Sequence, residues 1–360
     1  MTTPTTAQLT SGDVRMRFDR FRFALYDGTM AYLGDLDVNQ DRPPRVRWDA
    51  TARLQRTLQS VYIPAGTRAD LDTVSWSLQP IMVMLIGDEY PLGVFRWADE
   101  DEFEFSWGIA RDTSLVDRST ILDQQTMEAV GWGPGASPIV AAVFMANQVV
   151  PADWLQYSTS AAVLNAPMSW PPGASRIQII TDLLAQCGFL PPYFDRNGFL
   201  QMRPAPDPLV DPDPILWPLG APVRLKTVAR HNTLLDTPNI YVVYDSSAQG
   251  GGFRGVYEVP PSAPHRRTRR GFYVPLVKGV SGLPSQADAN AQAYALSLSD
   301  GRSFRYSTYS GAANPVHDAW SVIEFRGERA LETAWDLTCR NGGAMTHTLR
   351  QVYGSSGNIA

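Results

Sequence analysis

The length of 360 residues exceeds what a single hydrophobic core usually supports and predicts two or three domains. The chain is 44% hydrophobic and only 19% charged, and its ten Trp, fourteen Tyr and fourteen Phe fit either protein interfaces or a large β-rich core. A net charge of -5 without a long basic face argues against nucleic acid as the main partner.

The amino-terminal part of the chain reads as a series of β-strands after a polar, Thr-rich start without the apolar run of a secretion signal. MRFDRFRFALYDG alternates apolar and polar residues and turns at Asp27-Gly28, which is typical of a half-buried sheet. Further strands are predicted at 46–63, 75–86, 91–98 and 102–112, with a turn at 87–89. Short strands at this regular spacing favour a barrel or sandwich.

The pattern becomes helical beyond Asp117. Apolar residues recur at helical spacing over 138–149 and 175–187. Ser175 is a good amino-terminal cap and Gly188 a typical residue after a helix end, so the second helix is predicted with defined ends. The Asn197-Gly198 pair that follows predicts a tight hairpin, and the region reads as α+β.

A proline-rich connector at 204–222 precedes a second β-rich part. Strands are predicted over 223–245, followed by a Gly-rich turn at 249–252 and a strand beginning at Phe253. An Ala-rich helix is predicted from Ser285, its cap, to Ser299, as an insertion or brace. Strands resume at 304–311, 320–327 and 330–340, and the chain contains no evident repeat of 20 to 50 residues.

Three stretches together resemble the baseplate and tail hub proteins of tailed phages. The first is PLGVF at 91–95 with ARDTSLVDRS at 110–119, like a strand step and the exit from a first hub barrel. The second is the helix and hairpin at 174–204, like the family's middle domain. The third runs from PNIYVVYD at 238–245, through the Ala-rich helix with Tyr294, to ANPVHDAWSVIEF at 313–325, like a second barrel.

This resemblance implies a mainly β fold with α+β insertions, in which two small β-barrel domains are joined by an α+β middle domain. The expected divisions are a first barrel at 1–117, a middle domain at 118–216 and a second barrel at 217–360. A helical segment at about 250–300 is expected to pack on the middle domain.

The function that the resemblance implies is that of a non-enzymatic minor tail protein at the tip of a long phage tail. We expect a homotrimeric ring that closes the tail tube and contacts the distal tail protein, the tape measure protein and other minor tail or fibre proteins. DNA would pass through the ring without specific binding, and no membrane anchor is expected, since no run of about 18 apolar residues occurs. Assembly would take place in the host cytoplasm.

Two charged clusters are candidate subunit contacts. The acidic run Asp99, Glu100, Asp101, Glu102 is followed by Glu104 and reads as a solvated hairpin turn. Its alternative use, as the acid and base of a glycan-cleaving tail enzyme, is disfavoured because adjacent strand residues face opposite ways. The basic cluster comprises Arg266, Arg267, Arg269 and Arg270 and is either a solvated loop or the acidic run's partner on the next copy.

No cofactor, metal or catalytic site is predicted. The four histidines, His231, His265, His317 and His347, lack the spacing of known metal motifs, and Cys187 and Cys339 stand alone. The Gly-rich stretches at 131–137 and 247–255 lack phosphate-binding patterns and read as loops. A sugar-binding adhesin remains a further alternative, with a platform drawn from Trp76, Trp97, Trp107, Trp132, Trp154 and Trp170.

Overall fold

The computed structural model describes most of residues 18–352 of the chain. The positions within this span that it does not describe are 40, 68–70, 85–87, 212–213, 218–226, 234–235, 247–251, 281–282, 284, 301, 303, 314–315 and 326–327. Parts of the predicted turns at 87–89 and 249–252, of the predicted loop at 247–255, of the connector and of the strand region at 223–245 therefore lie outside the described residues.

The described residues from Phe18 to Asp117 form eight strands. They are β1 (Phe18–Tyr26), β2 (Tyr32–Asp35), β3 (Arg45–Asp49), β4 (Arg56–Ile63), β5 (Ser77–Met84), β6 (Glu89–Pro91), β7 (Phe95–Phe105) and β8 (Gly108–Asp117). The stretch predicted as strand over 46–63 is divided into β3 and β4 because Asp49 accepts hydrogen bonds from the amide and hydroxyl of Thr51. Such a side-chain turn reverses the chain between two strands.

The middle of the chain alternates helices with short strands. They are α1 (Ser119–Leu122), β9 (Val130–Trp132), α2 (Pro138–Asn147), a 3₁₀ turn (Ala152–Trp154), β10 (Leu155–Tyr157), β11 (Met168–Trp170), α3 (Arg176–Gln186), β12 (Tyr193–Phe194) and β13 (Leu200–Met202). The ends predicted for α3 are confirmed: Ser175 Oγ accepts from the amide of Gln178 at 3.4 Å, and Gly188 has φ +70°. The predicted hairpin at Asn197-Gly198 joins β12 to β13.

The last part is again mainly β. Its elements are β14 (Ile215–Trp217), β15 (Thr227–Asn232), β16 (Ile240–Asp245), β17 (Arg254–Glu258), α4 (Arg267–Arg270), β18 (Pro275–Val280), α5 (Gln286–Ser299), β19 (Arg305–Ala312), β20 (Val322–Phe325), β21 (Glu328–Thr338) and β22 (Ala344–Gln351). Ser285 Oγ accepts from the amide of Asp288 at 3.1 Å, so the predicted cap of α5 is confirmed.

One sheet of fourteen strands joins both ends of the chain. Its main order is β15-β19-β22-β21-β3-β4-β8-β7-β5-β1-β2, with β20 paired to β21, β14 to β20 and β6 to β5. The amino- and carboxyl-terminal parts meet where β3 pairs with β21, with Trp48 opposite Trp335. The predicted mainly β fold is confirmed. Among the described strands, no pairing joins β15 to β2, the two ends of this order. The two barrels and their domain limits therefore stay a prediction.

A shared hydrophobic core lies beside this junction. Trp48 and Trp335 are buried, and Trp320 packs edge-to-face on Trp48 with 5.9 Å between ring centroids. Leu190 and Tyr193, from the middle of the chain, belong to the same core. Burial of this aromatic surface makes a dominant contribution to folding, and here it depends on residues far apart in the sequence.

A second core forms between α2 and α3, where α3 buries Ile179, Ile180, Leu183 and Leu184. Separately, α5 covers one side of a three-stranded sheet with the order β17-β16-β18. The side chain of Gln292 in α5 donates to the carbonyl of Gln186 at 2.9 Å, so this helix also contacts the end of α3. The helical segment at about 250–300 was predicted to pack on the middle domain, and a contact between α5 and α3 is what that packing requires.

Candidate functional site

The acidic run lies on a long hairpin formed by β7 and β8. The two strands pair from Phe95 opposite Asp117 to Phe105 opposite Gly108, so that Ser106 and Trp107 form the turn. Gly108 has φ +140°, and a Cβ there would lie 2.7 Å from the amide nitrogen of Gly66. A glycine therefore permits both the turn and the close approach of the neighbouring loop.

The prediction that the acidic run is a hairpin turn is wrong. Asp99 to Glu102 continue β7 and are paired with β8, while the turn lies beyond them at Ser106 and Trp107. The same register divides the segment 102–112, predicted as one strand, between two strands. A run of carboxylates lowers strand propensity, but the opposite strand supplies the compensating contacts.

One face of the hairpin pairs two carboxylates with a single cation. Arg111 Nε lies 3.0 Å from Glu100 Oε1 and 3.1 Å from Glu102 Oε1. Burial and the neighbouring Glu102 raise the pKa of Glu100, whereas the hydrogen bond from Arg111 lowers the pKa of Glu102. Because both carboxylates lie on one side and share one guanidinium, they do not flank a cleavable bond as glycoside hydrolysis requires.

The other face and the turn carry exposed aromatic side chains. Phe103 and Phe105 lie on the same face as Asp101, and Asp101 stands opposite Asp112 on β8. Trp107 is 70% exposed and stacks on Phe105, with ring centroids 5.0 Å apart and planes 13° apart. We call Phe103, Phe105 and Trp107 the aromatic tip. Exposed aromatic clusters of this kind mark protein interfaces more often than isolated apolar residues do.

The predicted basic cluster is held by neighbours in its own part of the chain. Arg266 donates to the carbonyl of Ala263 at 3.3 Å, and Arg270 donates to the carbonyl of Thr237 at 2.8 Å. Arg267 donates to the hydroxyl of Tyr273 at 3.0 Å. Glu100 and Glu102 are likewise bound within the chain, by Arg111. A contact between the acidic cluster of one copy and the basic cluster of another stays a prediction.

The candidate sugar-binding tryptophans do not form one platform. Trp132 and Trp170 pack edge-to-face at 5.9 Å in the core of the middle region. Trp154 lies beneath the guanidinium of Arg118, 3.8 Å from the ring centroid. Trp107 is the exposed member of the set, and it belongs to the aromatic tip.

The tertiary structure gathers a buried cluster of His317, Glu332 and His347 that the sequence spacing does not reveal. His317 Nδ1 lies 3.1 Å from Glu332 Oε2, and His347 Nδ1 lies 2.5 Å from Glu332 Oε1. The side chains of all three are fully buried. Glu332 and His347 lie on adjacent strands, β21 and β22, and His317 reaches them from the loop before β20. Adjacent-strand placement is not visible as a sequence motif.

Burial and hydrogen bonding oppose each other in this cluster. Burial raises the pKa of Glu332, but the two imidazoles together hold it below its ordinary value. Burial lowers the pKa of His317 although Glu332 raises it. Ligand atoms of the three residues lie within 4.8 Å of one another, and two imidazoles with a carboxylate form a set that zinc accepts. In the observed arrangement both Nδ1 atoms are directed at the carboxylate, as in a hydrogen-bonded core network.

The other two histidines lie apart from this cluster. His231 is exposed on β15, and His265 is buried against Phe304 with ring centroids 5.3 Å apart. Desolvation, with a smaller contribution from Arg270, lowers the pKa of His265 to about 4. Among the helices in the described part of the chain, none is both long and apolar enough to cross a membrane.

No known protein-family model and no curated protein sequence matches this chain. Solved structures match it over almost its whole length. A tail protein from Neisseria meningitidis MC58 is 13% identical, with a TM-score of 0.63, covering 92% of this chain and 97% of that protein. The 43 kDa tail protein of prophage MuSo2 from Shewanella oneidensis is 12% identical, with a TM-score of 0.59 and coverages of 92% and 98%.

A third similar structure is prophage tail protein gp18 from Listeria monocytogenes EGD-e. It is 12% identical, with a TM-score of 0.55 and coverages of 91% of this chain and 94% of that protein. The chain therefore has the fold of phage tail proteins. The resemblance to the tailed-phage tail and baseplate family, indicated by three stretches of sequence, is confirmed at the level of the fold.

Proposed function

We propose that this protein is a structural component of a phage tail, the hub at the tip of the tail. The observation that carries the proposal is the match of more than nine-tenths of the chain, end to end, to each of three tail proteins. Because the match spans the whole architecture and not one small unit, the role of the whole protein is the simplest property to transfer. The phage particle itself supplies the test of this role.

The proposed hub is a homotrimeric ring that closes the tail tube of a long-tailed phage. It would seat the tape measure protein on one side and anchor the distal tail protein with further minor tail or fibre proteins on the other. DNA would pass through the ring without sequence-specific contact. Assembly would take place in the host cytoplasm, and the mature location would be the virion. The function is binding, and the chain would act without catalysis.

The exposed hairpin supports a role in assembly. On one face, Arg111 neutralises part of the charge of Glu100 and Glu102. The aromatic tip, in contrast, remains exposed. A head-to-tail contact between two different surfaces of one chain generates a closed ring when the rotation between copies is suitable. The acidic residues Asp99, Glu100, Asp101 and Glu102 and the basic residues Arg266, Arg267, Arg269 and Arg270 are proposed to lie near such contacts.

Electron microscopy of the phage particles that contain this protein tests the proposal. We expect density for three copies at the tail tip, and labelled antibody to bind there. Gel filtration with light scattering on the purified chain provides the mass of any ring formed in solution. Particles whose tail tip lacks the chain would rule out the hub role.

A cell-wall assay separates this function from that of a tail enzyme. The double variant Glu102→Gln, Glu104→Gln is expected to assemble tails as the wild type does, and neither protein is expected to clear host cell walls. Clearing by the wild type that disappears in the double variant would establish the enzymatic alternative instead.

A further inference from the structure

A second exposed apolar surface lies on the sheet formed by β17, β16 and β18. Side chains alternate along these strands, and Val243 on one side packs against α5. On the opposite side, Val256, Val242 and Val277 stand side by side in the register of the three strands. We call this row the valine face. Val277 is 54% and Val256 40% exposed, whereas Val242 between them is only 5% exposed, so the two outer valines form the apolar surface that solvent reaches.

Charged residues lie at both ends of the valine face. Arg254, Tyr244 and Gly279 form the adjoining row on the same side of the sheet. At the other end Glu258 is 3.4 Å from the hydroxyl of Tyr273, which accepts from Arg267 of α4 at 3.0 Å. The surface is therefore apolar in its centre, with Arg254 at one end and Arg267 beside Glu258 at the other.

The hairpin presents the complementary arrangement. Phe103 and Phe105 point to the same face as Asp101, and Asp112 is directly opposite Asp101. The Glu100 and Glu102 carboxylates point to the other face, where Arg111 binds them. The two surfaces are therefore both apolar in their centres, and the carboxylates Asp101 and Asp112 are opposite in charge to Arg254 and Arg267.

We propose that the aromatic tip of one copy docks on the valine face of a second copy of this chain. Each copy has both an aromatic tip and a valine face. Each copy can therefore bind one neighbour through its tip and another through its valine face, and repeated contacts of this kind form a ring. Trp107 is the anchor of the contact, since large aromatic residues packed at the centre of an interface carry most of its binding energy. This inference deepens the proposed function and rests on the self-association that it includes.

Single substitutions measured by sedimentation velocity across a concentration series test the contact on the full chain. Trp107→Glu and Val277→Glu are each expected to weaken self-association about tenfold or more, since either places a charge in an apolar contact. Met127→Glu is the matched control, because Met127 is 95% exposed and lies on neither surface. Circular dichroism confirms that each variant remains folded.

A charge exchange tests the pairing itself. Asp101→Arg and Arg267→Asp are each expected to weaken association, and the double variant is expected to recover it in part. A Trp107→Cys, Val277→Cys pair in a Cys187→Ser background is expected to form interchain disulfides, whereas either cysteine alone is not.

Two outcomes would overturn the inference. A trimer that persists unchanged in both glutamate variants would move the contact elsewhere and leave the proposed ring intact. A chain that stays monomeric at every concentration, with no interchain disulfide from the cysteine pair in solution or in assembled tails, would also overturn it. The location of the chain on particles, seen by electron microscopy, decides the proposed function separately from either result.

Discussion

Arg56 and Asp318, which are 262 positions apart, form an ion pair with 2.6 Å between Arg56 Nη2 and Asp318 Oδ1. Arg56 is 1% exposed and also donates to the carbonyl of Leu92 at 2.7 Å. The second carboxylate oxygen of Asp318 accepts from the backbone amide of Arg196 at 3.2 Å. One carboxylate thus connects the amino-terminal strands, the middle hairpin and the carboxyl-terminal part.

The pair also explains the glycine of the PLGVF stretch. A Cβ on Gly93 would lie 2.6 Å from Arg56 Cδ, and its φ is +136°. Only a glycine allows the chain to pass so close to the buried arginine. Burial alone would raise the pKa of Asp318, but Arg56 and Arg196 hold it below its ordinary value, so the carboxylate stays charged.

Asp318→Asn is therefore expected to lower the free energy of unfolding by about 3 kcal/mol, because it leaves the Arg56 charge buried without its counter-ion. Urea unfolding followed by tryptophan fluorescence measures the loss. The control is Asp336→Asn, which removes a more exposed ion pair with Arg45 and should cost less than about 1 kcal/mol. Equal losses in the two variants would show that Arg56 does not depend on Asp318.

Gly255→Ala is expected to destabilise the protein by about 2 kcal/mol or more, because overpacking forces the backbone to shift. A Cβ at Gly255 would lie 1.8 Å from the carbonyl oxygen of Ala289, so α5 could not remain against β17. Gly133→Ala serves as the control, since a Cβ there has no atom within 4 Å. Thermal unfolding of both variants measures the difference, and a Gly255→Ala protein as stable as the control would contradict the close helix contact.

Glu332→Gln is expected to cost about 1 to 3 kcal/mol of stability, because it leaves a buried imidazole donor without an acceptor. The amide offers one acceptor oxygen where the carboxylate offers two, so His317 or His347 loses its bond. Glu324→Gln, in the partly exposed pair with Arg329, should change stability by less than about 1 kcal/mol. Denaturant titration at pH 7.5 compares the free energies of unfolding of the two variants. A Glu332→Gln protein as stable as the wild type would contradict the hydrogen bonds from His317 and His347 to Glu332.

His265 makes the stability depend on pH. Its pKa in the folded protein is about 4, below the ordinary value of 6.5, so the unfolded chain binds a proton that the folded chain excludes. The free energy of unfolding that neutral His265 contributes is fully present above pH 6.5. It decreases as the pH falls, and at pH 4 about 3 kcal/mol has been lost. Unfolding titrations at pH 7.5, 6 and 5 should show a shallower decline for His265→Gln than for the wild type. Parallel declines would mean that His265 titrates normally.

Local signals were sufficient for several elements. The ends of α3 and the start of α5 followed from Ser175, Gly188 and Ser285, because a cap depends on atoms within one turn of the helix. The hairpin at Asn197-Gly198 was predictable for the same reason. The turn of the long hairpin was not predicted, because carboxylates at 99–102 have the composition of a loop and only pairing with β8 keeps them in a strand.

The sequence by itself determined the mainly β character, the capped helices and the resemblance to phage tail proteins, since these depend on neighbours along the chain. Only the tertiary structure decided that β3 pairs with β21, that His317 and His347 meet on Glu332, and that the aromatic tip and the outer valines of the valine face stay exposed. Strand pairing joins segments of any separation, and the free energy of burial depends on which side of a sheet is covered. Neither property is encoded in the spacing of residues along the chain.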